Sequence, residues 1–368
     1  MSRAGFLQGV AAIGLPGRSG VLPVAPLGDR EWRSFLSRVR EQRLVGYLHQ
    51  AVDAGVFPVT EEQATAVAEL HLQSCVNALR LDQLLLDVVE LLSAEGIEIV
   101  VLKGTALAHL VYPDPAVRVF GDVDLLLRSD QYDRGIELLV KAGCHRQTAQ
   151  ARPGFERRFA KGTTLTARDG HELDVHRNLV FGTFGFVIDL DELFRSSVEF
   201  QLGDRRLRAL GPETRLLHAC YHAALGDPKP RYSSVRDVAQ MLTTGDHDVS
   251  RVLELTRRWQ SEAVLSRAIE LCRSHLGVEV SGPLVDAVGG YEPTRRESRA
   301  IASYVGPNRH FAAKVRASLP YVDGLRSKAA FVTAVVVPEP EFALSHGEEP
   351  GLPWIRRGFR SLFERDKP

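Results

Sequence analysis

Apolar residues recur at helical intervals from Asp29 to Ala54, with Trp32, Phe35, Leu36 and Val39 followed by Leu44, Leu48 and Val52. That spacing predicts a helical lead-in. Thr60-Glu61-Glu62-Gln63 then supplies an N-cap threonine and acidic first-turn residues, and helical periodicity continues to Glu95 as one long helix or two in succession, stopped by Gly96. The second half, Leu81 to Leu92, carries leucine or valine at 81, 84, 85, 86, 88, 89, 91 and 92. So broad an apolar surface is expected to pack on a sheet.

The period changes at IEIVVL (Ile97 to Leu102), a β-rich run interrupted by Lys103-Gly104-Thr105. Ala106 to Tyr112 reads as a helix, Val119 to Leu127 as a second strand, and Asp130 to Ala142 as an amphipathic helix capped by Asp130 and ended at Gly143. Thr163 to Ala167 and Glu172 to Val175 flank Asp169-Gly170, a hairpin signal that places Asp174 on an outgoing strand. A second hairpin is expected at Phe200 to Leu210, turning at Gly203-Asp204. From Pro212 the texture is helical: PETRLLHACYHAAL, SSVRDVAQMLTT and Val249 to Leu276, with Gly226 to Pro230 as a tight loop. A further helix is expected near Glu297 to Tyr304, ahead of the basic end WIRRGFRSLFERDKP. There is no internal repeat.

These patterns divide the chain into a flexible leader (1–28), an N-terminal helical segment (29–79), a catalytic core (80–210), a helical substrate-binding domain (211–280) and a partly helical C-terminal extension (281–368). The fold class is α+β, a mixed β-sheet core with N-terminal helices and a C-terminal helical domain.

Composition narrows the partners. The 368 residues are 44% hydrophobic and 25% charged, ordinary for a soluble globular protein. Lys+Arg and Asp+Glu are both 46, so no overall field favours polymeric nucleic acid or an anionic membrane, and neither is an expected partner. Cys75, Cys144, Cys220 and Cys272 are scattered, which argues for reduced thiols in a cytoplasmic protein and against a zinc site. The first twenty residues superficially resemble a signal peptide, but Gly9, Gly14, Pro16 and Gly20 break the apolar run. No stretch reaches the about 18 to 20 apolar residues of a membrane span; Ala329 to Val337 stops at Pro338.

The candidate chemistry is carboxylate chemistry. Asp122 and Asp124, two apart on one strand, project to the same face, and such a pair repels itself unless a cation joins it. Asp174 on a later strand makes a third member. Three carboxylates suggest two divalent ions clamping a nucleoside triphosphate, with Mg²⁺ suited to oxygen ligands. Gly104 and Thr105, at the mouth of a helix, admit phosphate to backbone N–H groups and a hydroxyl, and Lys103 adds charge there.

Set against this, an isolated Asp-x-Asp is common on solvated strand faces, and Glu172 rivals Asp174 on the same face. Arg118 is as well suited to a structural ion pair as to phosphate. His176 is read first as a hydrogen-bonded structural residue. His218 and His222 have metal-ligand spacing but no third partner, so helix packing, with a cleft face, is preferred for them. Asp237 is placed toward the same cleft.

Leu102-Lys103-Gly104-Thr105-Ala106-Leu107, Tyr112, Arg118 and Gly121-Asp122-Val123-Asp124-Leu125-Leu126 together resemble the signature of the uncharacterised nucleotidyltransferase family, within the DNA polymerase β-type superfamily. The likeness extends to the helices before the core, to ELDVH and to PETRLLHACYHAAL with the helix bearing Asp237, covering roughly residues 30 to 245. It implies a nucleotidyltransferase-type core and transfer of a nucleotidyl group from an NTP, with Mg²⁺, to a hydroxyl or phosphate of a small-molecule or peptide/protein acceptor. It further implies that Asp122, Asp124 and Asp174 are metal ligands and catalytic, while Lys103, Gly104, Thr105 and Arg118 hold the nucleotide. Thr105 departs from the superfamily's Ser or Gly. Phosphoryl transfer with the same metals, and a silent nucleotide-binding scaffold, stay open as alternatives.

Overall fold

The structure, a computed structural model, describes residues 3–307 and 311–345; the basic end at 354–368 lies outside the described residues. The chain opens on α1 (Arg3–Ala11), where a flexible leader was expected. Leu7, Val10, Ala11 and Ala12 are all at 0% exposure, so the glycine-broken apolar run is retained as a packed helix. The lead-in forms two helices, α2 (Asp29–Glu41) and α3 (Val45–Asp53), separated where Arg43 takes a left-handed backbone with φ 56°.

Next comes α4 (Glu61–Ala94), a single helix of 34 residues, about 50 Å long. Thr60 Oγ1 accepts from the Gln63 amide while the Gln63 side chain accepts from Thr60 N–H, a reciprocal cap. In its second half Leu81, Leu85, Val88 and Leu92 point at the sheet as expected, and burying each of the three leucines contributes about 2 kcal/mol.

β1 (Ile99–Val101) leads into α5 (Lys103–Val111), which begins three residues earlier than the sequence suggests. β2 (Asp122–Leu127) starts at the first aspartate. α6 (Tyr132–Lys141) follows, and Asp130 is not its cap. Gln131 holds the entry instead, accepting from Glu98 N–H and donating to the Gly96 carbonyl, with the Tyr132 ring fully buried behind it. β3 (His145–Arg146), α7 (Phe155–Phe159), β4 (Gly162–Thr166) and β5 (Glu172–His176) complete the first hairpin region. α8 (Leu190–Arg195) and the second hairpin, β6 (Val198–Leu202) with β7 (Arg205–Ala209), close the sheet region.

The seven strands form one mixed sheet in the order β3-β4-β5-β2-β1-β7-β6. β2 runs antiparallel to β1 and parallel to β5; β1 is parallel to β7, and the remaining neighbours are antiparallel. Alternation then divides β2 and β5. Val123, Leu125, Leu127, Leu173 and Val175 face the buried cluster under α4 and α6, which sends Asp122, Asp124, Asp174 and His176 to the opposite face.

That opposite face is covered by α9 (Pro212–Leu225), which packs against α10 (Tyr232–Thr244) and α12 (Glu262–Ser274). α11 (Val249–Arg258) precedes α12, and the run that read as continuous to Leu276 is broken at Gln260, φ 49°. Helices α1 to α3 share one apolar cluster with α9 to α12, from Leu7 and Phe35 to Trp259 and Leu265. The C-terminal part holds more helix than expected: α13 (Pro283–Val288), α14 (Arg295–Val305), α15 (Phe311–Ser318), α16 (Leu325–Val336) and α17 (Pro340–Ser345). No helix among the described residues is long and apolar enough to cross a membrane.

Candidate active site

The acidic face is set by strand register. Across the parallel pair, Asp122 stands opposite Glu172, Asp124 opposite Asp174 and Leu126 opposite His176. Asp124 is the buried centre, 3% exposed. Its Oδ1 accepts from Lys103 Nζ at 2.7 Å and from His176 Nε2 at 2.8 Å. Burial alone would raise the Asp124 pKa, but the Lys103 charge and the His176 hydrogen bond outweigh it and hold the carboxyl well below the usual range. The same contact keeps Lys103 charged: burial works against its ammonium, and Asp124 reverses the sign.

Asp174 is half-buried, its Oδ1 accepting from the Thr164 hydroxyl at 2.5 Å and its Oδ2 lying 4.0 Å from His176 Nε2. Asp122 reaches toward solvent, 3.4 Å from Arg43 Nη1. Glu172 is exposed and takes a hydrogen bond from Gln147. Sequence reasoning missed Arg43, which sits in a helix break with no motif around it, and also Lys161. Lys161 stands one residue before β4, and that place was its only signal. Burial and repulsion from Lys103 lower its pKa, against attraction from Asp124, Asp174 and Asp122.

The turn after β1 behaves in part as the sequence suggests. Gly104 adopts φ 38°, ψ −116°, and an added Cβ would lie 3.3 Å from the Asp122 carbonyl, so glycine is required for the approach of this turn to β2. Thr105 is buried and its hydroxyl donates to Asp82 Oδ1 at 2.7 Å, pointing into α4 instead of toward a phosphate. Arg118 is likewise engaged. Its Nε and Nη2 grip both oxygens of Asp237 at 2.9 and 2.8 Å, its Nη1 donates to the Gly104 carbonyl, and Tyr112 adds a hydrogen bond to Asp237 Oδ1. Tyr112 and Arg118 therefore tie the turn to α10.

The face opens on a cleft where Lys103, Gly104, Asp122 and Asp124 meet Arg43, His222, Arg231, Ser233, Ser234 and Asp237. His218 is buried on α9 beside Lys103. Burial, then the Lys103 charge, lowers both His218 and His222 well below the ordinary imidazole range, so both are neutral. No third ligand joins them among the described residues.

Ligand atoms of Asp124, Asp174 and His176 all lie within 4.8 Å of one another. Because the His176 nitrogen nearest the acids donates to Asp124, it acts as an orienting group, and carboxylate oxygens remain as the donor set. That set, facing a polar cleft beside a glycine turn, fits a hard divalent cation such as Mg²⁺.

Comparison with known proteins agrees with the sequence signature. Residues 28–277 match the family model described as uncharacterised nucleotidyltransferase. No curated protein is similar to the chain by sequence. Among solved structures the chain is similar to the lincosamide antibiotic adenylyltransferase LnuA with lincomycin bound, at 15% identity over 43% of this chain and 93% of that one, TM-score 0.30. It is also similar to an antigenic nucleotidyltransferase-like protein from Paracoccidioides brasiliensis, at 15% identity over 57% of this chain and 97% of that one, TM-score 0.32.

Proposed function

We propose that this chain, which belongs to the uncharacterised nucleotidyltransferase family, moves a nucleoside monophosphate from an NTP to a hydroxyl or phosphate of a small-molecule or peptide/protein acceptor. The observation that supports this most is the register that brings Asp122, Asp124 and Asp174 to one face of the sheet, with Asp122 and Asp124 lining the cleft beside the Gly104 turn. Asp122, Asp124 and Asp174 would hold Mg²⁺, expected as two ions. Bound there, the metal supplies charge neutralisation at the reacting phosphorus and on the departing pyrophosphate.

The chain's own groups do the rest. Lys103 and Lys161 offset the negative charge that gathers as phosphate enters. Gly104 lets the backbone of the turn approach a phosphate oxygen at the start of α5. His176 fixes the orientation of Asp124, and Thr164 that of Asp174. Asp174, with Oδ2 free of hydrogen bonds among the described residues, would draw the proton from the acceptor hydroxyl. Residues 80–210 serve as the catalytic core, and the helical residues 211–280 form the opposing wall of the substrate cleft.

Product mass tests the reading. With Mg²⁺, an NTP and a panel of small-molecule and peptide acceptors, the product gains one nucleoside monophosphate and pyrophosphate is released. A gain of a single phosphoryl group would replace nucleotidyl transfer by phosphotransfer, and nucleotide binding without turnover across the panel would favour a silent site.

A further inference from the structure

With Arg118 committed to Asp237, the negative end of an NTP needs other partners, and the cleft supplies them on the wall facing Asp122 and Asp124. That wall is the first turn of α10, where Ser233 and Ser234 line the cleft beside Arg231. Ser234 is 6% exposed, and its hydroxyl has no hydrogen-bond partner among the described residues. The N–H groups of this turn are unequally used: Tyr232 N–H goes to Gln42 Oε1 at 3.0 Å and Ser234 N–H back to the Arg231 carbonyl, while Ser233 N–H has no partner among the described residues. The positive end of the helix dipole adds to this.

Arg43 completes the constellation from a different part of the chain. It follows Gln42 directly, so the break between α2 and α3 touches both cleft walls, α10 through Gln42 and β2 through Arg43. The break is held in place where α3 docks on the turn before β2: a Cβ on Gly46 would lie 2.3 Å from the Val117 carbonyl. Arg43 keeps its left-handed backbone, unusual for a residue with a side chain, and its 3.4 Å contact to Asp122 is long and partly exposed. Such a contact yields readily to a better anion.

We propose that Arg43, Arg231 and the first turn of α10, through Ser233 and Ser234, form the seat for the β- and γ-phosphates of the donor. The proposal rests on the NTP-dependent reading above. It assigns to the N-terminal helices a direct part in substrate binding and leaves Arg118 as a strut.

The test is calorimetric titration of Mg²⁺ with inorganic tripolyphosphate, and with non-hydrolysable analogues of the four NTPs, into wild type, Arg43→Gly and Ser234→Ala. Glycine accepts the backbone of residue 43, and an unchanged melting temperature confirms that each variant folds. Arg205→Ala, at the exposed start of β7, serves as the charge control. Loss of a charged hydrogen bond is expected to weaken tripolyphosphate and analogue binding about tenfold or more in Arg43→Gly, less in Ser234→Ala and not in the control. Wild-type binding that is unaltered in both variants would overturn the phosphate seat and leave nucleotidyl transfer standing. Wild type binding neither tripolyphosphate nor any analogue would overturn both.

Discussion

Asp124 on β2 stands directly opposite Asp174 on the parallel strand β5, and two positions further along Leu126 stands opposite His176, whose imidazole reaches back to Asp124. Parallel register thus joins residues some fifty positions apart in the chain. It also separates two kinds of carboxylate. Asp124 is locked among Lys103 and His176, whereas Asp122 faces the cleft with one long contact to Arg43.

That difference separates stability from turnover. Asp122→Asn is expected to abolish transfer while costing under about 1 kcal/mol, because its ion pair is long and partly exposed. Asp124→Asn is expected to abolish transfer and also to destabilise by about 3 kcal/mol, because a buried lysine loses its partner. Urea unfolding of both variants checks this; equal midpoints would contradict it.

Gly104→Ala places a side chain at φ 38° and presses it on the Asp122 carbonyl. The expected cost is about 1–3 kcal/mol, with transfer falling more than this loss of stability accounts for, because the turn and β2 move apart. Thermal unfolding measured beside turnover tests it, and a variant with wild-type values would remove the need for glycine here.

Arg118→Ala leaves buried Asp237 without its bidentate partner, at an expected cost of about 3 kcal/mol. Arg118→Lys keeps a charge but not the fork, and is expected to recover only part of this. Chemical denaturation of the two variants decides; equal stability of wild type and Arg118→Ala would mean the strut carries no load.

Acid stability should report Glu98, which Arg128 and Arg208 join to β2 and β7. Burial raises its pKa, but the hydrogen bonds and charges of the two arginines win, so the folded value lies below the ordinary 4.5. A depressed folded pKa stabilises the fold above the unfolded value, and this contribution is lost as the pH falls below about 4.5. Glu98→Gln is therefore expected to lower stability near neutrality and to flatten its decline in acid. An unchanged acid-unfolding profile would show that the cluster is not coupled to folding.

Much of the site was legible because it is local. Two aspartates two apart on an apolar strand share a face whatever the tertiary fold, and the Asp169-Gly170 turn marks the strand carrying Asp174. The partners of Thr105 and Arg118 were not legible. Thr105 turns its hydroxyl to Asp82 on α4, and Arg118 meets Asp237 across 119 residues of sequence. Arg43 left no trace because its position depends on α3 docking against Val117, and α1 was obscured because its glycines read as breakers until the apolar cluster around Leu7 and Val10 holds them. Tertiary packing decided each of these, and none has a periodic signature.

The proposed function requires Asp122 and Asp124 to bind Mg²⁺ together with an NTP. Calorimetric titration of a non-hydrolysable NTP analogue, with and without Mg²⁺, into wild type, Asp122→Ala and Asp124→Ala tests it most directly. Mg²⁺-dependent binding by wild type that both substitutions remove is the expected result; nucleotide binding indifferent to Mg²⁺ and to both aspartates would contradict the account.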